Sequence, residues 1–474
     1  MWGASTAAHQ IEGNNTNSDW WCKEIAGAVK EPSLDACDSY HRWREDMDLL
    51  AGLGFTDYRF SIEWARIEPA PGHFSRAELA HYRRMVEGAV ERGLRPMVTL
   101  HHFTVPQWFE DRGGWTADGA VERLERHHGF WLNWYDAHDG SVLTTWPESG
   151  DPVRPFLSSV DNAWLVTGLR IAAHADPALR PRVARLLEAA DWSYFYTPYD
   201  PADPAGHPGQ LRGGFWTDNG EPTGHHYGAL NTEPRMASYL GIADGTLPGE
   251  HYWHMYRTML PEWEQEQSPG GAYVTVDGFR IWNGNYSHRG RKLVPTWGGS
   301  MFEALMVPLF VPESEWSPHA WGTTHSRYVR SQIEHGLIEQ AYGYWGFSPA
   351  SIPQGGYREY GVDAIGQQAD GYHPLGVVTP HASFLALPYA PAEAVGNLTA
   401  LAHDFGAYDE EYGFRDSVDV VGGRVSDAVL ALDQGMICAA IAQRLRPGLL
   451  QQPFRTGGFA ARVRPLLARE RFSI

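Results

Sequence analysis

Hydrophobic and polar positions along the first 120 residues switch repeatedly between two periods. Residues 2–13 (WGASTAAHQIEG) read as a strand running into a loop, and residues 41–53 (HRWREDMDLLAGL) have helical spacing that stops before Gly54. Residues 55–67 (FTDYRFSIEWARI) carry the β-branched and aromatic content of a strand. An amphipathic helix is predicted over 77–93, with Leu79, Tyr82, Met85, Val86 and Val90 on one face and Gly93 past its end. RPMVTLHHF, 95–103, reads as a short buried strand. This β-α-β-α-β order predicts a parallel α/β architecture.

From about residue 121 the alternation stops. Helical patterns appear over 160–174 (VDNAWLVTGLRIAAH) and 177–191 (PALRPRVARLLEAAD), separated by Gly-, Pro- and aromatic-rich stretches at 193–230, 262–300 and 343–380 that read as long loops. Paired helices joined by long loops predict an α-toroid around a central pocket. The expected fold class is therefore mixed and mainly α, a toroid preceded by an α/β segment. The domains are expected at 1–120 and 121–474, although no Pro/Ser/Gly linker marks the change. It falls inside the charged run AVERLERHH, whereas boundaries ordinarily sit in exposed linkers.

Charge and composition narrow the partners. The 474 residues carry 57 acidic and 38 basic side chains, net −19, the wrong sign for holding nucleic acid. The 20 Trp, 22 Tyr and 19 Phe fit either a large aromatic core or faces that stack on sugar rings. Cys22, Cys37 and Cys438 do not make a disulfide framework. The start of the chain has no basic segment followed by an apolar run, and no stretch approaches ~20 apolar residues. The expectation is a cytoplasmic protein without signal peptide or membrane span, its natural start lying further upstream. The pairs His101-His102, His127-His128 and His225-His226 are adjacent, so their side chains diverge, and none has the i, i+4 spacing with Glu of zinc hydrolases. No metal and no cofactor are expected.

The strings WGASTAAHQIEG, YRFSIEWARIEP, VTLHHFTVPQW and GGWT make residues 1–120 resemble the start of the family 1 glycoside hydrolases, the β-glucosidase type of (β/α)8 barrel. The resemblance implies that Gln10 and His102 bind a sugar and that Arg59 supports a carboxylate; without it, Arg59 reads equally as a buried ion pair. It covers about three of eight βα units. The family's Asn-Glu-Pro acid/base and Glu-Asn-Gly nucleophile have no counterpart in this frame, so this segment is expected to be inactive alone.

Residues 121–474 resemble the glycoamylase-like (α/α)6 glycoside hydrolases related to enzymes of β-1,2-glucans. The resemblance is carried by GFWLNWYDAHDG, FLSSVDNAWLVTGL, HHYGALNTEPRMASYLGIADG, WGGSMFEALM, YREYGVDAIG, GVVTPHASFLAL, YGFRDSVD and LDQGM. It implies a ring short of roughly its first hairpin and a half, and an oligo- or polysaccharide substrate. Glycoside cleavage needs two carboxyls facing each other across the bond. Glu233, Glu303 and Asp161 are the catalytic candidates; Trp134, Asn162, Trp164, His226, Trp297, Glu359 and Asp363 are the expected substrate-binding residues. Each acid has a plainer reading. Glu233, followed by Pro234, could simply favour a helix N-terminus, and Asp161 could be an N-cap. Glu303, among apolar neighbours, is either tied to an Arg or raised in pKa. Asp416 and Asp419 complete the acid clusters, as structural or sugar-binding groups. His325 stands where relatives acting on cyclic glucans carry a Glu.

The expected function is a glycoside hydrolase acting on a glucan, more readily a β-linked one. The alternatives are a family 1 β-glucosidase activity, a non-catalytic glycan-binding protein, and a hybrid of fused reading frames without function.

Overall fold

The computed structural model describes residues 2–114, 124–135, 140–146, 150–369, 371–372 and 376–474. The chain divides into two compact units, Met1–Leu124 and Glu125–Ile474. The expected boundary after residue 120, together with Trp115 and Thr116 of GGWT, lies outside the described residues.

The first unit is built on a three-stranded parallel sheet, β1 (Gly3–Ser5), β2 (Asp57–Ser61) and β3 (Arg95–Thr99), in that spatial order. Helices Ser39–Gly52 and Arg76–Glu91 connect the strands, each within two residues of the predicted limits at either end. Ser75 caps the second helix by accepting the Glu78 N–H at 3.3 Å. Trp43, Met47, Tyr58, Phe60, Tyr82 and Met85 form the core of the unit. Tyr82 and Met85 come from the predicted apolar face; Leu79 and Val90 of that face are exposed.

The second unit is mainly helical around two hydrophobic clusters, one including Trp192, Tyr239 and Trp321, the other Met301, Tyr328 and Leu385. Helix Ser159–Ala175 matches its prediction and packs on Arg235–Asp244. The predicted helix 177–191 is a 3-10 turn, Pro177–Leu179, followed by the helix Arg180–Leu187. Helix Met301–Leu305 packs on Thr323–Glu334 and on Pro380–Leu385, which in turn contacts Pro391–Phe405 and Ala431–Leu445.

All three stretches read as loops carry strands, and one of them holds a complete three-stranded sheet. Residues 270–293, inside the stretch read as a loop, form an antiparallel meander of Gly270–Val276, Phe279–His288 and Arg291–Leu293. Its turns are Asp277-Gly278 (φ 53° and 87°) and Arg289-Gly290 (φ 47° and 77°). Positive φ at both central residues is the geometry whose twist matches paired strands. Gly density had hidden an Asp-Gly hairpin signal.

A parallel sheet is ordinarily covered on both faces and flanked by further strands. In the first unit, β1 and β3 each pair only with β2 among the described residues. Backbone amides of residues 2–114 should therefore exchange faster than those of residues 160–440. Hydrogen-exchange mass spectrometry checks this, and equal protection in the two ranges would contradict it.

Candidate functional site

Several helices of the second unit carry an ionisable side chain in, or just ahead of, the first turn, and five of these residues matter here. They are Asp161 in Ser159–Ala175, Glu233 before Arg235–Asp244, Glu303 in Met301–Leu305, His381 in Pro380–Leu385 and Asp433 in Ala431–Leu445. Helix N-termini favour negative charge and leave backbone donors free. Glu233 and Glu303 line one cavity of about 650 Å3, with His226, Trp297 and Glu359. That volume is within the ~300–1,000 Å3 of small-ligand sites.

Glu303 is held by a ring of backbone and hydroxyl donors. Ser300 caps its helix, and the Glu303 carboxyl returns the bond in a reciprocal capping box. The Gly298 N–H donates to both carboxyl oxygens (3.1 and 3.0 Å), and Ser300 donates its N–H (3.1 Å) and hydroxyl (2.8 Å) to Oε2. Burial pushes Glu303 up, but these donors oppose the shift. The loop that supplies them needs Gly299: it has φ +71°, and a Cβ there would lie 2.2 Å from the Val362 carbonyl oxygen. No arginine reaches this carboxylate among the described residues, which removes the ion-pair reading of Glu303.

Glu233 is pushed up to about 8, first by burial and then by the Glu303 charge; Glu359 adds to the effect. The two carboxyls thus differ in surroundings: donors oppose the upward shift of Glu303, while Glu233, pushed up to about 8, holds its proton at neutral pH.

Arg235 ties their two segments together. Its side chain is fully buried. Nε and Nη2 donate to the two oxygens of Glu313 (2.8 and 3.0 Å), and Nη1 donates to the Thr232 and Glu303 carbonyls (2.8 and 3.0 Å). Nη2 also donates to the Ala304 carbonyl at 2.8 Å. All five guanidinium donors are used. The same group therefore grips the residue before Glu233 and the backbone at Glu303. Tyr239 donates to Glu313, and the Trp321 ring lies 5.0 Å from the guanidinium carbon. His325 belongs to this interior network, with Nε2 3.4 Å from Glu313 Oε2, and is not among the residues lining the cavity. Sequence reasoning missed Arg235 and Glu313, since an acid in VPESEW carries no mark of burial.

The remaining predicted residues are scattered. His226 faces the cavity and shares a 2.9 Å hydrogen bond with Thr197; burial brings its pKa down to about 4, so it is neutral. Trp297 lines the wall with 46% of its surface exposed, as a stacking face requires. Tyr227, Tyr357 and Tyr372 also line it, and none of them stood out in the sequence. Asp363 is not in the lining; it accepts the Tyr372 N–H at 3.4 Å and so braces a lining residue. Asp161 is exposed and accepts from Asn133 at 2.8 Å, while Ser158, not Asp161, is the N-cap.

Two residues expected to bind substrate have other tasks. Asn162 is 2% exposed and spends its amide on Trp131 N–H, Trp131 O and Ser158 O. Trp164 packs against both hydrophobic clusters, 5.7 Å from Phe310. Trp134 is half-exposed, edge-on to Trp146 at 5.0 Å, and is not in the cavity lining.

In the first unit, Arg59 Nη2 lies 2.7 Å from His102 Nδ1, and Arg59 also donates to Thr99 Oγ1 at 2.7 Å and the Thr6 carbonyl at 3.1 Å. Gln10 is exposed. Arg59 therefore meets a histidine and neutral oxygens here.

Comparison with known proteins fits this two-part geometry. Residues 1–146 match the family model described as glycosyl hydrolase family 1, and residues 270–457 match the one described as "Putative glucoamylase". The thermostable beta-glucosidase B of Thermobispora bispora is 40% identical over 134 residues, which is 27% of this chain and 28% of that protein. The chain thus spans under a third of that relative's length. A solved structure from Bacteroides uniformis, of the same printed description as the second family, aligns over 72% of this chain and 78% of its own. Its TM-score is 0.53 at 18% identity. The endo-beta-1,2-glucanase from Chitinophaga pinensis, solved with sophorotriose and glucose, aligns over 73% and 78%, with TM-score 0.50 and 18% identity. The second unit has the toroidal fold of these glucoamylase-like proteins, and the first resembles the N-terminal part of the family 1 glycosyl hydrolases.

Replacing Glu313 with Ala leaves a buried guanidinium without its counter-charge, a change that costs about 3–5 kcal/mol. Replacing Arg235 and Glu313 together with Met and Leu should cost markedly less. Urea unfolding followed by tryptophan fluorescence measures both, and equal losses would refute the pairing.

Proposed function

We propose that the second unit is a glycoside hydrolase that cleaves a glucan, in our reading a β-linked one, with Glu233 as the general acid and Glu303 as the carboxylate facing it. The reading rests on one observation above the rest: the two carboxyls share a cavity, one bound by backbone donors and the other pushed up to about 8. An acid that delivers a proton to a leaving oxygen must hold it at the working pH, and Glu233 does. A charged carboxylate opposite stabilises positive charge developing on the sugar ring. Trp297 and the lining tyrosines supply stacking faces and hydroxyls for sugar rings. The name of the Chitinophaga pinensis neighbour supports a β-1,2-linked substrate. We read the ring as short of its first hairpin and a half, and the first unit as a barrel fragment that does not hydrolyse β-glucosides, since both carboxyl motifs of its family are missing.

A second reading is favoured by Glu359, which is exposed in the same cavity while the Glu303 oxygens are engaged by donors. It gives the water-activating role to Glu359. Turnover of Glu303→Gln and Glu359→Gln separates the two: the deeper loss marks the opposing base.

Glu233→Gln should lower kcat on a β-1,2-glucan by at least about 100-fold, the usual lower range for losing a proton-transfer group, with sugar binding retained. Unchanged turnover would remove Glu233 from the mechanism. Wild-type activity should fall as pH rises through about 8, where Glu233 loses its proton. In Glu303→Gln the residual activity should fall at lower pH, because the charge that raises Glu233 is gone. The folded-state pKa of Glu233 lies above its ordinary value of 4.5. The unfolded chain therefore releases this proton first, and stability drops between the two values as pH rises. The gain in Tm from Glu233→Gln should accordingly be larger at pH 8 than at pH 5, which a calorimetric series tests.

Replacing Gln10 and His102 together should leave glucan hydrolysis within about threefold of wild type, allowing ~1 kcal/mol for indirect effects. A thousandfold loss with the fold intact would place the chemistry in the first unit.

A further inference from the structure

A second buried cluster in the second unit has no residue among those lining the cavity. His381, Asp416 and Asp433 each offer one ligand atom, the three atoms lying within 4.8 Å of one another. The three residues are 2%, 2% and 4% exposed. Their hydrogen bonding is incomplete: neither ring nitrogen of His381 has a partner among the described residues, while Asp416 and Asp433 meet each other's carboxyls. The closest approach between the imidazole and Asp433, Nδ1 to Oδ2, is 3.5 Å, too long for a good N–H···O bond.

Buried polar atoms are nearly always satisfied, and each exception requires a cause. A neutral imidazole carries one donor and one acceptor. A proton shared between the two carboxyls would relieve their repulsion yet give the imidazole nothing. A divalent cation answers all three groups at once: it takes a lone pair from the ring and one from each carboxylate, and it cancels two negative charges in a dry interior.

We propose that His381, Asp416 and Asp433 form a binding site for a divalent first-row transition metal, zinc foremost. One imidazole and two carboxylates suit zinc or manganese, whereas calcium and magnesium want more oxygen ligands. Three protein ligands leave a coordination position open for water. Ligand atoms about 2.1 Å from a tetrahedral zinc stand roughly 3.4 Å apart, so small side-chain rotations close the triangle. The site joins the starts of helices Pro380–Leu385 and Ala431–Leu445 to the loop at Asp416. Asp416 also accepts the Ser351 N–H, and Ala350–Ser351 pairs with Tyr357–Arg358, so the metal braces the strand that brings Tyr357 into the cavity wall.

The test is calorimetric titration of zinc chloride into the full chain after chelator treatment and desalting. We expect one saturable site per chain and a higher Tm on binding. Asp433→Asn and His381→Ala should each weaken binding at least about 100-fold, more than the loss of an outer-shell contact. His207→Ala, in a surface pair with Asp203, should leave it unchanged. No saturable site for zinc or manganese in the wild-type chain overturns the proposal, as does undiminished binding in Asp433→Asn. Cobalt(II) in the wild-type chain keeps the test decisive where a variant does not fold. Visible bands of a tetrahedral N/O site support the assignment, and octahedral solvent-like bands overturn it. Glucan hydrolysis is not the readout, so the outcome is independent of the function proposed for Glu233.

Discussion

The buried pairing of Arg235 with Glu313 is the constraint on which the cavity depends. An unpaired guanidinium in this interior would be prohibitive, and a pair repays its desolvation only when every remaining donor is met. Here the five donors are shared between the two oxygens of one carboxylate and three backbone carbonyls. Those carbonyls belong to two segments far apart in sequence, at Thr232 and at Glu303–Ala304. A lysine could not do this, because its point charge lacks a planar fork. The backbone ahead of Glu233 is thereby tied to the backbone at Glu303–Ala304 through the shape of a guanidinium.

The carboxyls on these two segments differ in the donors they meet. Two buried acids near one another cannot both ionise cheaply, so whichever has the better donors keeps the charge. Glu303 has the Gly298 and Ser300 donors, and Glu233 takes the proton. The arrangement runs through backbone geometry, since the loop that supplies the donors closes only with glycine at 299. Tyr372 donates to the Gly298 carbonyl and Asp363 accepts from Tyr372, so the loop is held from outside as well. A carboxyl kept neutral in this way lowers stability at alkaline pH, a usual cost of a functional site.

What the sequence made legible follows from how local each signal is. Helices at 41–53, 77–93 and 160–174 were readable because amphipathic spacing and flanking caps are short-range properties. Glu233 stood out because an acid beside a proline at a helix start is a local pattern. Asn162 and Trp164 misled for the converse reason. Their residue types suit sugar binding, but the helix turns Asn162 toward Trp131 and Trp164 onto Phe310, contacts set by partners about 30 and 150 residues away. Arg235 and Glu313 were opaque because burial of a charged residue depends on its partner, and the two lie 78 residues apart. The sheet at 270–293 is the different case. Its Asp-Gly turn was a local signal, outweighed by the glycine and proline content of the surrounding stretch.

The first unit shows why a raised carboxyl does not by itself make an active site. Glu12 there is pushed up to about 7, chiefly by burial, close to where a general acid would work. Yet it is 2% exposed, and Arg66 and Tyr82 donate to its oxygens. Glu63 is 1% exposed and accepts from Asn15 and Thr104. Both carboxyls knit strands and helices of their own core, and neither can meet a glycosidic oxygen without unpacking it. Arg59 and His102 hold each other in place, but no motif of the barrel family supplies an acid to act beside them. Glu233 differs in the property that counts for chemistry: it holds a proton and faces a cavity large enough for sugar rings. On the function proposed above, it is the one of these raised carboxyls that gives its proton to a substrate.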